Sequence, residues 1–264
     1  MRLHSVAAFA LVVAAGCSRH PSTASFAWEG TPGDDAWVRI RNTNGRVEVR
    51  RSPDERVIVG AEVKTGGQRA TWVRDSSDSG ITFCVILGDP AGRDCEHMGR
   101  TPTAGLLAWL MARLAGHGVE SASTRYVLYV PPSARVDLRT VNGAIDLQSV
   151  AREIRARTVN GKVTAVAVAS ALDVETVNGS IEAQLELDGD GDIALRTVNG
   201  SVTAELPASV DGDVQLSTVN GSATSDFALE GEGRKRRHGM LGTGGRDIVL
   251  KAVNGSVKLK RRGS

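Results

Sequence analysis

The chain has 264 residues, a formal net charge of +2 at pH 7 and only 4% aromatic residues. A charge this close to neutral gives no support to nucleic-acid binding, and the scarcity of aromatic rings argues against surfaces that stack sugars or bases. A protein of this length can bury a substantial core.

Residues 1–16 are predicted to be a secretory signal peptide. Arg2 supplies a short basic region, and the apolar run from Val6 to Ala15 is too short to span a bilayer as a helix. The sequence Ala14-Ala15-Gly16-Cys17 resembles a bacterial lipobox. The resemblance implies cleavage before Cys17, lipidation of that residue and attachment to a membrane. The alternative is an ordinary signal peptide with a chance cysteine.

A short polar tether is predicted for residues 17–25. Ser18, directly after the cysteine, favours sorting to the outer membrane if the source is a Gram-negative bacterium. We therefore expect a membrane-anchored lipoprotein of the cell envelope.

Opening β coils are predicted for residues 26–63. Apolar and polar residues alternate in Trp37–Arg41, Val47–Val49 and Val57–Val63, which is the period of a half-buried strand. A degenerate corner, Asn44-Gly45, separates the first two runs.

Residues 64–125 are predicted to be an irregular insertion with one short helix at 104–115. That helix is interpreted as flanking or capping the repeats, with packing on a membrane surface or a partner as the alternative. Cys84 and Cys95 also lie here, and an exported protein meets an oxidising compartment, so we expect them to form a disulfide. A metal pair or two free thiols are the alternatives.

Residues 126–264 carry the clearest signal, a repeated Thr-Val-Asn-Gly tetrapeptide. The arms on both sides of each Asn-Gly alternate apolar and polar residues, so each repeat is predicted to be strand, corner and strand. The repeat corners are Asn142, Asn160, Asn178, Asn199, Asn220 and Asn254.

Two all-β architectures fit this repeat. Asn-Gly favours a type I′ hairpin turn, which would give a meander of hairpins. In a parallel β-solenoid each repeat is instead one coil, with like residues stacked on like. The solenoid is favoured because a hairpin would place Glu175 opposite Glu182. It is also favoured because stacked asparagine amides can hydrogen-bond in a ladder. Stacking in sequence order would place Asn199 beside Asn220.

The residues from Val38 to Val49, Tyr126 to Pro131 and Gly239 to Gly245, together with the serial Val-Asn-Gly coils, resemble the bacterial putative-adhesin-like β-strand-repeat family, a domain of unknown function. The resemblance covers about residues 26–260. It implies a right-handed β-solenoid and a location in the cell envelope.

One set of acidic residues suggests a weak Ca²⁺ site. A period of 21 residues would stack Asp190 on Asp211 and Asp192 on Asp213, and Ca²⁺ takes such oxygen ligands. Solvated Asp-Gly corners are the alternative. No other metal site and no cofactor is predicted.

Charged residues also recur just before the repeat threonines. Glu175 is predicted to lie between Arg157 and Arg196, in a ladder that includes Arg139, Ser217 and Lys251. Such a ladder could bind an anionic glycan or a lipid headgroup. The basic runs 234–238 and 258–262 are interpreted as a solvated loop and tail, with binding of anionic lipid or lipopolysaccharide as the alternative.

The sequence shows no nucleophile constellation, phosphate-binding loop or zinc motif, so no catalysis is expected. We predict a lipid-anchored envelope protein with a binding, adhesion-like or scaffolding role, whose partners are the membrane and an envelope protein or glycan. The alternatives are an envelope-stress regulatory protein acting through a partner, and a β-helix enzyme acting on polysaccharides.

Overall fold

The computed structural model describes residues 22–33, 35–66, 69–88, 95, 122–148, 150–187, 189–231 and 233–263. All regular elements in these ranges are β-strands, so the all-β fold class is confirmed. The predicted signal peptide, Cys17 and the predicted helix at 104–115 lie outside the described residues. Within the described ranges no helix could cross a membrane.

The described residues form nineteen strands. They are β1 (Ser22–Gly30), β2 (Trp37–Arg41), β3 (Val47–Arg51), β4 (Val57–Thr65), β5 (Ala70–Ser77), β6 (Gly80–Leu87), β7 (Ser123–Val130), β8 (Arg135–Asn142), β9 (Ile145–Gln148), β10 (Val150–Asn160), β11 (Val163–Asn178), β12 (Ile181–Leu187), β13 (Ile193–Asn199), β14 (Val202–Leu206), β15 (Gly212–Asn220), β16 (Ala223–Ser225), β17 (Arg236–Leu241), β18 (Asp247–Asn254) and β19 (Val257–Arg261).

The strands form two long mixed sheets that are joined through β11. Sheet A has the order β5, β6, β2, β8, β10, the second half of β11, β13, β18, β15, β17. Sheet B has the order β1, β4, β7, β3, β9, the first half of β11, β12, β14, β19, β16. The pairs are parallel except near the two ends.

Equivalent residues of successive repeats lie side by side. Thr158 pairs with Thr140 and Thr176, and Val163 pairs with Ile145 and Ile181. The two arms of a repeat therefore belong to different sheets, and each Asn-Gly is a corner between them. This register excludes the hairpin meander and is consistent with the predicted solenoid. We use "coil" for one sheet A strand, its Asn-Gly corner and the following sheet B strand.

The order of the coils in space differs from their order in the sequence, so the prediction that Asn199 stacks on Asn220 is wrong. The last coil, β18 with β19, lies between β13–β14 and β15–β16. At the other end, β2 and β3 lie between β6–β7 and β8–β9.

The main apolar core runs between the two sheets. Its inward residues are the predicted alternating positions, such as Leu138, Leu195 and Leu250 from sheet A, all 0% exposed. Alanines such as Ala165 and Ala204 fill the opposite wall. At the N-terminal end of the stack an aromatic group closes the core, with Phe26 stacked on Trp72 at 5.4 Å between ring centroids. Phe227 is buried at the other end.

The interval 64–125, predicted to be irregular, contains β5 and β6, which extend sheet A. β1 begins at Ser22, inside the predicted tether, and pairs along β4.

The predicted disulfide is confirmed: Cys84 and Cys95 are bonded, with Cα atoms 5.5 Å apart, and both are buried. The bond ties residue 95 to β6.

Three of the four residues of the tetrapeptide make contacts that account for their repetition. The threonine hydroxyl donates a hydrogen bond to the glycine carbonyl of the neighbouring coil, as from Thr176 to Gly161 at 3.1 Å. The asparagine amides form a ladder, as described below. The glycine has no room for a side chain, because a Cβ on Gly179 would lie 2.0 Å from the carbonyl oxygen of Gly161. These contacts place each corner directly over the corner of the neighbouring coil.

Candidate functional site

The outer face of sheet A carries a column of polar side chains, most of them cationic. We call it the cation column. Parallel register places its members on successive strands, roughly 4.8 Å apart. In spatial order they are Arg41, Arg139, Arg157, Glu175, Arg196, Lys251 and Ser217. Arg236 of β17 follows beside Ser217. Glu175 lies between Arg157 and Arg196, as predicted, but Lys251 precedes Ser217 because of the coil order.

Acidic side chains neutralise the first part of this column. Arg41 and Asp137 form a buried ion pair at 2.7 Å, with side chains 2% and 7% exposed. Arg139 contacts the same carboxylate at 3.3 Å. The arginines at this end are therefore held mainly by their neighbours in the same sheet.

The middle of the column is a four-residue network. Arg157 contacts Asp173 at 2.9 Å and Glu175 at 3.0 Å, while Arg196 contacts the same two carboxylates at 2.9 and 3.5 Å. Partial burial acts to lower the pKa of Arg157, but its hydrogen bond to Glu175 and the two nearby carboxylates outweigh burial, so the pKa is raised. Arg157 therefore stays charged, and its guanidinium is paired with both Asp173 and Glu175.

The last part of the column has cations without acidic partners. Within the described residues, Lys251 and Arg236 form no ion pair and no side-chain hydrogen bond. Both line a groove of about 470 Å³ on the outer face of sheet A, together with Arg196 and Ser217. We call it the C-terminal groove.

Valines of the tetrapeptide form one side of the C-terminal groove. Val198, Val253 and Val219 line it. The equivalent Val141 is 7% exposed, whereas Val253 and Val219 are 39% and 55% exposed. The groove therefore offers an apolar strip beside a row of cations, an arrangement suited to a ligand that is both anionic and partly apolar.

A second groove of about 510 Å³ lies on the same face at the N-terminal end of the stack. Arg39, Arg155 and Trp37 contribute to it. Arg39 donates to the carbonyl and hydroxyl of Ser79, at 3.0 and 3.1 Å. Arg155 packs 4.3 Å from the centroid of the Trp37 ring and pairs with Glu153. These side chains already have internal partners, so this groove is the weaker candidate.

The corner asparagines form a continuous amide ladder. Each asparagine after the first donates its side-chain nitrogen to the side-chain oxygen of the preceding asparagine in the stack, at 2.7 or 2.8 Å. The spatial order is Asn44, Asn142, Asn160, Asn178, Asn199, Asn254 and Asn220. The ladder is exposed at the surface, and Asn220 is its last rung.

Of the aspartates suggested for Ca²⁺, Asp192 does not stack on Asp213 as expected. Asp247 lies between Asp192 and Asp213 because β18 separates β13 from β15. Asp192 accepts from the Asp247 amide at 2.9 Å, and Asp211 accepts from the Thr243 amide at 2.7 Å. A backbone N–H thus donates to one oxygen of Asp192 and to one oxygen of Asp211. Among the described residues, no three His, Cys, Asp or Glu side chains form a metal ligand set.

The two basic runs lie on different surfaces. Arg236, Arg237 and His238 belong to β17, beside the C-terminal groove. Lys258 and Lys260 lie on the exposed face of β19 in sheet B, and Arg262 pairs with Glu186 at 2.8 Å. The predicted charge ladder includes Lys251, but the sequence does not show that Lys251 lacks an acidic partner, because its neighbours depend on the coil order.

Comparison with solved structures finds low overall similarity. A putative cell adhesion protein from Clostridium sporogenes ATCC 15579 matches with a TM-score of 0.49 and 9% identity, over 91% of this chain and 100% of that chain. A putative adhesin from Bacteroides fragilis NCTC 9343 matches with a TM-score of 0.31 and 10% identity, over 91% of this chain and 98% of that chain. Neither a scan of protein-family models nor a search of curated proteins finds a match.

Proposed function

We propose that this protein is a non-catalytic binding protein of the cell envelope, and that the C-terminal groove binds an acidic polysaccharide. The observation that carries the proposal is the pair of unneutralised cations, Lys251 and Arg236, beside exposed valines. Elsewhere on the cation column the arginines contact carboxylates of the same face.

The spacing of the groove favours a polymer over a single small anion. Lys251 and Arg236 lie two strands apart, on either side of β15, so the unpaired cations are separated along the stack by about twice the strand spacing of roughly 4.8 Å. A polymer of uronic acid residues repeats carboxylates along its length at a similar scale. The C–H faces of its sugar rings can pack on Val253 and Val219.

The wider proposal concerns shape and location. We propose that the two sheets form a right-handed β-solenoid, and that Cys17 carries a lipid that anchors the protein in the envelope membrane, most simply the outer membrane. The lipobox-like Ala14-Ala15-Gly16-Cys17 supports the anchor. Cys17→Ser is then expected to move the protein from the membrane fraction to the soluble fraction of cells.

The binding proposal is tested with polygalacturonate as the anionic probe and dextran as the neutral one. The double variant Lys251→Glu with Arg236→Glu reverses both unpaired cations. We expect its affinity for polygalacturonate to fall at least about tenfold, because charge attraction in the groove is lost. Wild-type binding should also weaken as the salt concentration rises.

A matched control is available on the opposite sheet. Lys258→Glu with Lys260→Glu makes the same change in net charge on the exposed face of β19. It should change the affinity by less than about twofold. Equal losses in both double variants would show that net charge alone matters, and equal binding of dextran would contradict the proposal. Binding to anionic vesicles alone would identify a lipid surface as the ligand.

A further inference from the structure

The seven Asn-Gly steps of the sequence share one chemical weakness. The backbone nitrogen of the glycine can attack the amide carbon, Cγ, of the asparagine. Glycine permits this because it has no Cβ to hinder the approach. A free glycine N–H and an accessible, mobile corner are therefore the conditions for attack.

Six of the seven steps are protected by the neighbouring coil. In each, the glycine N–H donates a hydrogen bond of 2.9–3.1 Å to the carbonyl of the next asparagine in the ladder. The protected nitrogens belong to Gly45, Gly143, Gly161, Gly179, Gly200 and Gly255. These six glycines are also partly buried. Attack at any of them requires this bond to break and the corner to open.

The seventh step, Asn220-Gly221, is at the end of the ladder and has no such protection. Within the described residues, the Gly221 N–H donates no hydrogen bond, since no further coil follows. Gly221 is also the one exposed glycine of the seven. Asn220 donates to Asn254 at 2.8 Å, but its own Oδ1 accepts no hydrogen bond in the described part of the protein.

We propose that Asn220 is the site of spontaneous deamidation in the folded protein. The Gly221 nitrogen loses its proton and forms a bond to Cγ of Asn220, and the bond between Cγ and Nδ2 breaks to release ammonia. Water then adds to either carbonyl of the resulting succinimide and opens the ring. The products are aspartate or isoaspartate at position 220, and the net reaction consumes one water and releases one ammonia.

This modification changes one defined place on the surface. Residue 220 loses the N–H that it donates to Asn254 and gains a negative charge. The preceding residue, Val219, lines the C-terminal groove. The other six rungs keep their amides, so the ladder shortens by one without being interrupted.

The test is incubation of the folded protein at mildly alkaline pH in heavy-oxygen water, followed by peptide mass spectrometry. Incorporated heavy oxygen marks deamidation that occurred during the incubation. We expect Asn220 to deamidate at least about tenfold faster than each of the other six asparagines, because they must first open a hydrogen-bonded corner. In urea, where all corners are open, the seven rates should converge.

Two variants complete the test. Asn220→Gln lengthens the side chain and should abolish the fast deamidation at position 220. Asn178→Gln should leave the rate of deamidation at Asn220 unchanged. Equal rates at the seven sites in the folded protein would overturn the proposal. Faster deamidation at an internal corner would also overturn it. So would the absence of deamidation at Asn220 in the folded protein over the time in which Asn220 deamidates in urea.

Discussion

Tyr126 places a polar group in the apolar core. Its side chain is 1% exposed in the core, and its hydroxyl has no hydrogen-bond partner in the described part of the protein. The ring of Trp72 meets it edge-on, at 6.5 Å between centroids. The ring of Tyr126 therefore contributes to packing, while its hydroxyl is buried at a cost.

Tyr126→Phe should stabilise the protein. Removing a buried, unpaired hydroxyl is expected to raise the free energy of unfolding by about 1 kcal/mol at neutral pH. Burial also raises the pKa of Tyr126 above its ordinary value. The unfolded protein therefore releases this proton at about pH 10 while the folded protein holds it, and stability falls as the pH rises through that range.

Urea unfolding at neutral pH and at about pH 10.5 measures both effects. The variant should be the more stable at both, with the larger gain at high pH. Tyr129 is the other tyrosine of the sequence and is only partly buried. Tyr129→Phe serves as the control and should show no such gain. A loss of stability in Tyr126→Phe would mean that the hydroxyl has a stabilising partner.

At the scale of the element, the Asn-Gly corner decides the fold more than either strand does. Its threonine bonds the neighbouring glycine carbonyl, its asparagine extends the ladder, and its glycine allows the backbones to approach. Alternation alone would also allow a hairpin, in which the two arms pair with each other. The close stacking of glycines on glycines is possible only when corners lie one above another.

Gly179→Ala tests this close approach. The new Cβ would lie 2.0 Å from the Gly161 carbonyl oxygen, so the two coils must separate. We expect the free energy of unfolding to fall by about 3 kcal/mol. Gly33→Ala is the matched control, because nothing lies within 4 Å of the added Cβ, and it should change stability by less than about 0.5 kcal/mol. Comparable losses in chemical denaturation would show that the corners are not tightly stacked.

At the scale of the whole molecule, the sequence predicts the contents of each coil but not the order of the coils. Leu195, Leu216 and Leu250 are equivalent core positions, so each can pack on either of the others. Local sequence therefore carries no information on which coil lies next to which. The return through β17 brings the last coil into the stack beside β15.

The same degeneracy explains what was missed at the candidate site. The sequence predicts a charge ladder and the Cys84–Cys95 bond, because both depend on local spacing or on compartment. The unpaired state of Lys251 depends on which strands flank β18. That is a long-range property of the fold, and so are the exposed corner at Gly221 and the separation of Asp192 from Asp213 by Asp247.

The interior position of the last coil has a consequence for local stability. Strands close to a terminus commonly fray, because few contacts hold them. β18 instead pairs along its length with β13 on one side and β15 on the other, and Leu250 is fully buried. Opening β18 requires two ladders of hydrogen bonds to break at once. Its amides are therefore expected to exchange only in the largest unfolding events.

Native-state hydrogen exchange resolved by peptide measures this expectation. Residues 247–254 should exchange as slowly as residues 193–199, and at least about tenfold more slowly than β5, which pairs with β6 alone among the described strands. Leu250→Ala and Leu195→Ala should each lower the free energy of unfolding by about 3 kcal/mol, because both side chains lie in the same core. Fast exchange in β18 together with a small effect of Leu250→Ala would place the last coil at the end of the stack and leave β13 to pair directly with β15.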